Sequence, residues 1–102
     1  MKATVARRKV KPDRAEKNIA YIKKVFEQLE WESPAGLRYY SLPLEDKVSF
    51  LHIAAVDNSL QANPLTGVSA FKEFTSRIAD RCENPPRAVS ASLVGADATF
   101  GT

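Results

Sequence analysis

The sequence predicts an α+β domain in the order β-α-β-β-α-β, a four-stranded antiparallel sheet with two helices on one face. Three observations carry this. Two stretches place apolar residues at threes and fours, and four short stretches are rich in Val, Ile, Leu, Tyr, Phe or small residues. Pro, Gly and Asn clusters separate them. With 102 residues, 44% hydrophobic and 26% charged, the chain suits a single globular domain over 1–102, with 95–102 as a tail of lower order.

Thr4 to Val10 is β-prone and ends at Lys11-Pro12, where proline removes a ladder donor. Asp13 opens a helix, with Asp13 and Glu16 favouring its positive end. Ala15, Ile19, Ile22, Phe26 and Leu29 form its apolar stripe, and Ser33-Pro34-Ala35-Gly36 stops it. Leu37 to Leu44 and Val48 to Val56 read as a hairpin across Glu45-Asp46-Lys47. Asp57 to Gly67 is a long loop of the kind that often serves as a lid. Ser69 to Cys82 is the second helix, with Val68, Phe71, Phe74, Ile78 and Cys82 toward the core. Asn84-Pro85-Pro86 ends it, and Arg87 to Val94 is a last strand of mostly small residues. This order is the ferredoxin-like split βαβ unit.

Composition excludes several classes. No apolar run approaches the ~18–20 residues of a membrane span, and the opening residues do not read as a signal peptide. The single Cys82 forms no internal disulfide and suits a reducing compartment, so a cytoplasmic location is expected. His52 and Cys82 are too few for a structural zinc site, and no Gly-rich phosphate loop or catalytic triad order is present. Charge is uneven: residues 1–24 carry nine cations against two anions, net +7, and the remainder six against ten, net −4. Such asymmetry suits an anionic partner, two like subunits meeting, or simply a solvated face.

On the third strand both faces are apolar: Val48, Phe50, His52, Ala54 and Val56 alternate with Ser49, Leu51, Ile53 and Ala55. Two helices on one side of a sheet cover only one of these faces. A second copy of so short a chain is the simplest cover for the other, which predicts a homodimer through the open sheet face.

Several segments carry a resemblance: Val10-Lys11-Pro12, Pro34-Ala35-Gly36-Leu37-Arg38-Tyr39, Val48-Ser49-Phe50-Leu51-His52-Ile53 and Ser69-Ala70-Phe71-Lys72-Glu73-Phe74. Over roughly Thr4 to Leu93 the chain resembles the dimeric α/β barrel superfamily that includes antibiotic-biosynthesis-monooxygenase-like proteins. The resemblance implies paired sheets and a small hydrophobic or aromatic ligand held between sheet and helices. It also implies a cofactor-independent monooxygenase, or a cyclase, acting on an aromatic or polyketide-like substrate, with no metal or flavin. Haem-degrading members use an axial histidine, which the second helix here lacks. The alternative is a non-catalytic dimeric stress or regulatory protein.

A third reading, an RNA-binding module, shares the element order but needs aromatics on strands one and three. Strand one has none and strand three has Phe50 alone, so no nucleic-acid partner is expected. For chemistry, His52 is the one side chain that ordinarily titrates near neutral pH, a candidate general base. Tyr39 and Tyr40 point to opposite faces, and one of them can reach the His52 side. Arg7, Arg8, Lys9 and Lys11 run along strand one; an inward arginine, with Arg7 the candidate, would hold a carboxylate or an oxyanion. Phe50 and Trp31 complete the ligand-binding candidates, Trp31 being equally suited to packing under the Ser33–Leu37 turn. Ala54, Ala88, Ser90, Ala91 and Ser92 are small enough to leave ligand volume across the sheet.

Overall fold

The structure is a computed structural model that describes residues 2–60, 62–92 and 94. Strands β1 (Lys2–Lys9), β2 (Leu37–Pro43), β3 (Ser49–Val56) and β4 (Arg87–Ser92) form one sheet in the order β2-β3-β1-β4, every pair antiparallel. Helices α1 (Ala15–Glu32), α2 (Ser69–Ser76) and α3 (Ile78–Arg81) supply the second layer. This is the expected ferredoxin-like α+β arrangement. The expected tail over 95–102 lies outside the described residues.

Local chemistry sets the boundaries. A 3-10 turn over Pro12–Arg14 precedes α1, so the helix begins two residues after Asp13. Ser33 closes it in the left-handed region at φ 42°, its N–H on the Leu29 carbonyl at 2.7 Å. In the β2–β3 hairpin, Asp46 accepts from the Val48 and Ser49 amides at 3.0 and 2.7 Å, and from Ser49 Oγ at 2.6 Å. Those bonds hold its carboxyl below the usual carboxylate range. Helix α2 lacks a side-chain cap from its own first residues. Gln28 of α1 fills that role, its Oε1 accepting from the Ala70 amide at 2.8 Å and from Ser69 Oγ at 3.0 Å.

Two expectations need correction. The helix expected over Ser69–Cys82 breaks at Arg77 (φ −129°, ψ 28°). The Phe74 carbonyl, which would accept from Ile78 in a continuous helix, accepts instead from Arg81 Nη2, so the side chain competes with the backbone ladder. The apolar stripe of α1 is also rotated. Asn18, Ile22 and Val25 are its buried residues, while Ile19 and Phe26 lie at its exposed margin. A buried asparagine is invisible to hydrophobic periodicity; it goes inside because its Oδ1 accepts from Arg81 Nε at 3.2 Å.

The core lies between the helices and one sheet face: Val10, Ile22, Val25, Phe50, Ala54, Leu65, Val68, Phe74 and Cys82. Register assigns the faces. Phe50, His52 and Ala54 pair with Arg8, Ala6 and Thr4, and Ala54 with Tyr39, so these side chains share the helix side. Val5, Arg7, Tyr40, Leu42, Leu51, Ile53 and Val89 share the other, where Tyr40, Leu42 and Val89 are exposed. Strand β4 is exposed along its whole length. Among the described residues no helix is long and apolar enough to cross a membrane.

Candidate functional site

Three strands bring Tyr39, His52 and Arg8 together on the helix side, roofed by Phe71 and Phe74 of α2 and by Phe26 of α1. Tyr39 Oη and His52 Nδ1 lie 2.8 Å apart. The Tyr39 ring stacks on Phe26 at 5.2 Å and meets Phe71 edge-on at 6.2 Å. The His52 ring is 5.4 Å from Phe74, and the Arg8 guanidinium sits 5.1 Å over the same Phe74 ring. His52 is only 3% exposed, and its Nε2 is buried without a hydrogen-bond partner.

Burial controls the electrostatics. Loss of water, followed by the nearby Arg8 charge, pulls the His52 pKa down to about 3, so the ring is neutral across physiological pH. Loss of water also pushes Tyr39 up to about 12, with Arg8 opposing, so its hydroxyl stays protonated. The Arg8 guanidinium is lowered by the same desolvation.

A cleft of about 540 Å³ opens toward the Lys2–Thr4 end of the sheet, and none of Tyr39, His52 or Arg8 lines it. Thr4, Ala54, Ser90 and Ser92 line its sheet side, and Asn58 and Leu60 its loop side. Ala54, a lining residue of the cleft, lies two residues along β3 from His52 and directly opposite Tyr39. The small strand residues therefore leave volume, as expected, and the Asp57–Gly67 loop forms one of its walls. That loop is anchored by Leu65, 2% exposed, and by Asn63 Oδ1, which accepts from the Leu65 amide at 2.9 Å. A second cleft of about 410 Å³ is lined by Phe26, Leu37 and Tyr39 among others.

Of the sequence candidates, the structure brings together His52, Tyr39 and Phe50, the last at 1% exposure within the core. Tyr40 and Arg7 project from the opposite sheet face. The inward arginine of strand one is Arg8. Trp31 is 90% exposed at the end of α1 and packs neither in the site nor under the turn. With Phe50 inside the core, the open faces of β1 and β3 present Val5, Arg7, Leu51 and Ile53, with no aromatic ring for a base to stack on. Cys82 is buried, pairs its backbone with Val10, and has its thiol pushed up by burial, the mark of a structural thiol. Arg81 is the residue the sequence hid. It is 4% exposed and lies 4.5 Å over Tyr21 and 5.5 Å over Phe74, although its place in a charged helix end suggests solvent. Among the described residues, no three His, Cys, Asp or Glu side chains gather as a metal set.

No protein-family profile matches the sequence, and no curated protein matches it. Solved structures do. The chain superposes on the crystal structure of an antibiotic biosynthesis monooxygenase with a TM-score of 0.76 and 16% identity, covering 93% of this chain and all of that one. It matches a protein of unknown function from Nitrosomonas europaea at 0.72 and 15% identity, over 94% and 91% of the two chains. It matches a Mycobacterium tuberculosis protein at 0.68 and 13% identity, over 93% and 96%. The class of protein is thereby defined at the level of fold: the ferredoxin-like fold of antibiotic-biosynthesis-monooxygenase-like structures. Identities this low show that fold alone.

Proposed function

We propose that this chain binds a small hydrophobic or aromatic molecule between sheet and helices, and oxidises it with dioxygen using His52 as the base. The observation that carries this reading is His52 itself: a neutral, buried imidazole, held through Nδ1 by Tyr39 and left without a partner at Nε2, two residues along β3 from Ala54, which lines a 540 Å³ cleft. In the tautomer with hydrogen on Nδ1, that hydrogen is donated to Tyr39 Oη and the Nε2 lone pair is free to take a proton. A base that desolvation makes weak removes a proton only from an acidic C–H. That restricts the substrate to a methylene activated by a phenol ring or by neighbouring carbonyls. The carbanion reduces dioxygen; one oxygen atom becomes the new carbonyl oxygen and the other leaves as water with the two methylene hydrogens. The name of one structural neighbour, an antibiotic biosynthesis monooxygenase, agrees with this class of chemistry.

Oxygen uptake with a panel of activated hydroxyaromatic methylenes tests the reading. His52→Ala is expected to lower the rate by about 10²–10⁴-fold, the usual worth of a positioned base. A variant that kept full turnover would remove His52 from the mechanism.

The exposed apolar residues Tyr40, Leu42 and Val89 support a second element of the proposal, a homodimer in which two open sheet faces meet. Sedimentation at micromolar concentration is expected to give twice the 11.3 kDa chain mass. A Val89→Lys change, which places a charge in that face, is expected to weaken the dimer.

A further inference from the structure

Two like charges face each other on the open side of the sheet. Arg7 of β1 and Arg87 of β4 are directly opposite in the ladder, on the face away from the helices, and both are exposed. Directly opposite residues have Cβ atoms roughly 4.5–5.5 Å apart, a spacing at which like charges destabilise a sheet. A cation on β4 protects an edge, since β4 is the outermost strand. Edge protection does not account for Arg7, because β1 is central, between β3 and β4.

Both arginines line a cleft of about 680 Å³, together with Lys9 and the Asn84–Pro86 turn. That volume suits a small molecule, and no carboxylate lines the cleft. Pro85 and Pro86 restrict the backbone of its wall. Lys9 is answered nearby, by Glu83 at 3.6 Å and by Asp46, whose carboxyl it helps to hold down. Among the described residues neither Arg7 nor Arg87 has an ion-pair partner. Two of the nine cations of residues 1–24, Arg7 and Lys9, therefore gather here, and one of them is unanswered.

We propose that this cleft binds the phosphate group of a small molecule, as the free ion or as an ester, gripped by Arg7 and Arg87 from adjacent strands. Two unpaired cations call for two negative charges. A phosphate monoester carries about −1.5 to −2 at neutral pH, against −1 for a carboxylate. Its oxygens match two guanidinium forks, and bound between them it replaces their repulsion with attraction to a shared anion. Lys9, already paired, adds to the field without being needed as a contact. The site lies across the sheet from His52 and does not depend on the chemistry proposed there. It adjoins the row of Tyr40, Ile53, Val5 and Val89 that a second copy would cover. A carboxylate of that copy is the competing occupant of the cleft.

Calorimetric titration of the intact protein with inorganic phosphate, phenyl phosphate and acetate, at pH 7 and fixed ionic strength, tests this. Saturable phosphate binding is expected, at least tenfold tighter than acetate. Arg7→Gln and Arg87→Gln should each weaken it at least tenfold, while Lys23→Gln, which removes the same charge from an exposed position on α1, leaves it unchanged. Tighter binding of phenyl phosphate than of inorganic phosphate would support the site as one for an ester, and the reverse as one for the free ion. Equal weakening in Lys23→Gln would reduce the effect to the net charge of the chain and overturn the site. So would phosphate binding no tighter than acetate, or none at all. If phosphate failed to bind and Arg87→Gln weakened self-association, the two arginines would belong to a carboxylate of a second copy. Without phosphate, each arginine variant should unfold at a temperature no lower than the wild type, because it relieves the opposed charges; a clear fall would refute the repulsion on which the site rests.

Discussion

Acidification from pH 7 to pH 5 should destabilise this protein through one residue. His52 is the chain's single histidine, and its folded pKa of about 3 lies well below the value near ~6.5 of an unfolded chain. Its folded pKa is depressed, so its contribution is complete above pH 6.5 and is lost as pH falls toward 3, because the unfolded chain takes up the proton first. Between pH 7 and 5 this linkage amounts to about 2 kcal/mol, reaching about 4 kcal/mol near pH 3. For a domain of this size 2 kcal/mol corresponds to a fall in Tm of roughly 8–16 °C. Asp46 and Asp57 have carboxyls held below their usual range, so their losses begin at lower pH and leave this window to His52. Thermal unfolding in buffers from pH 7 to pH 5, for the wild type and for His52→Gln, measures it. The glutamine does not titrate and keeps a hydrogen-bonding group near Tyr39, so its curve should be nearly flat. A flat wild-type curve, or an equal slope in the variant, would refute the burial and neutrality assigned to His52.

Other consequences are open to the same measurement. Tyr39→Phe leaves His52 Nδ1 without its 2.8 Å partner and should cost about 1–3 kcal/mol. It should also remove part of the alkaline loss of stability that wild type shows between pH 10 and 12, where the raised Tyr39 resists ionisation in the folded state. Phe74→Ala empties a position with 0% exposure beneath both guanidinia and His52, and should cost about 3–5 kcal/mol by urea unfolding. Gly36→Ala meets a left-handed φ of 78° and places a Cβ 2.8 Å from Leu60 Cδ1, so it should destabilise by about 1–3 kcal/mol and displace the loop that walls the cleft.

Much of the fold was legible because it rests on local rules. The β-prone apolar run of β3, the Ser33–Gly36 stop, the Glu45–Lys47 turn and the small residues of β4 each follow from local chemistry, and together they dictate the topology. The interruption at Arg77 was not legible, since it depends on Arg81 reaching a carbonyl seven residues back. The site was half legible. His52 and Tyr39 lie on one face by parity across the hairpin, but parity alone does not say which face the helices take. Arg7 and Arg8 differ in the same one-residue way, because a single step along a strand moves a side chain through the sheet, and Arg8 is the one on the helix side. Trp31 misled for a different reason: size and hydrophobicity favour burial, yet the end of α1 offers nothing to pack against. Asn18 and Arg81 stayed hidden because their burial rests on partners distant in sequence, each other among them.

The most direct test of the account is an imidazole ¹⁵N NMR titration of His52 with a hydroxyaromatic ligand. A neutral ring is expected before addition, from pH 5 to 8, with a ligand-dependent shift at Nε2, the nitrogen left without a partner. A ring that titrates near pH 6.5, or a Nε2 resonance that ignores every ligand while the protein binds them elsewhere, would contradict it.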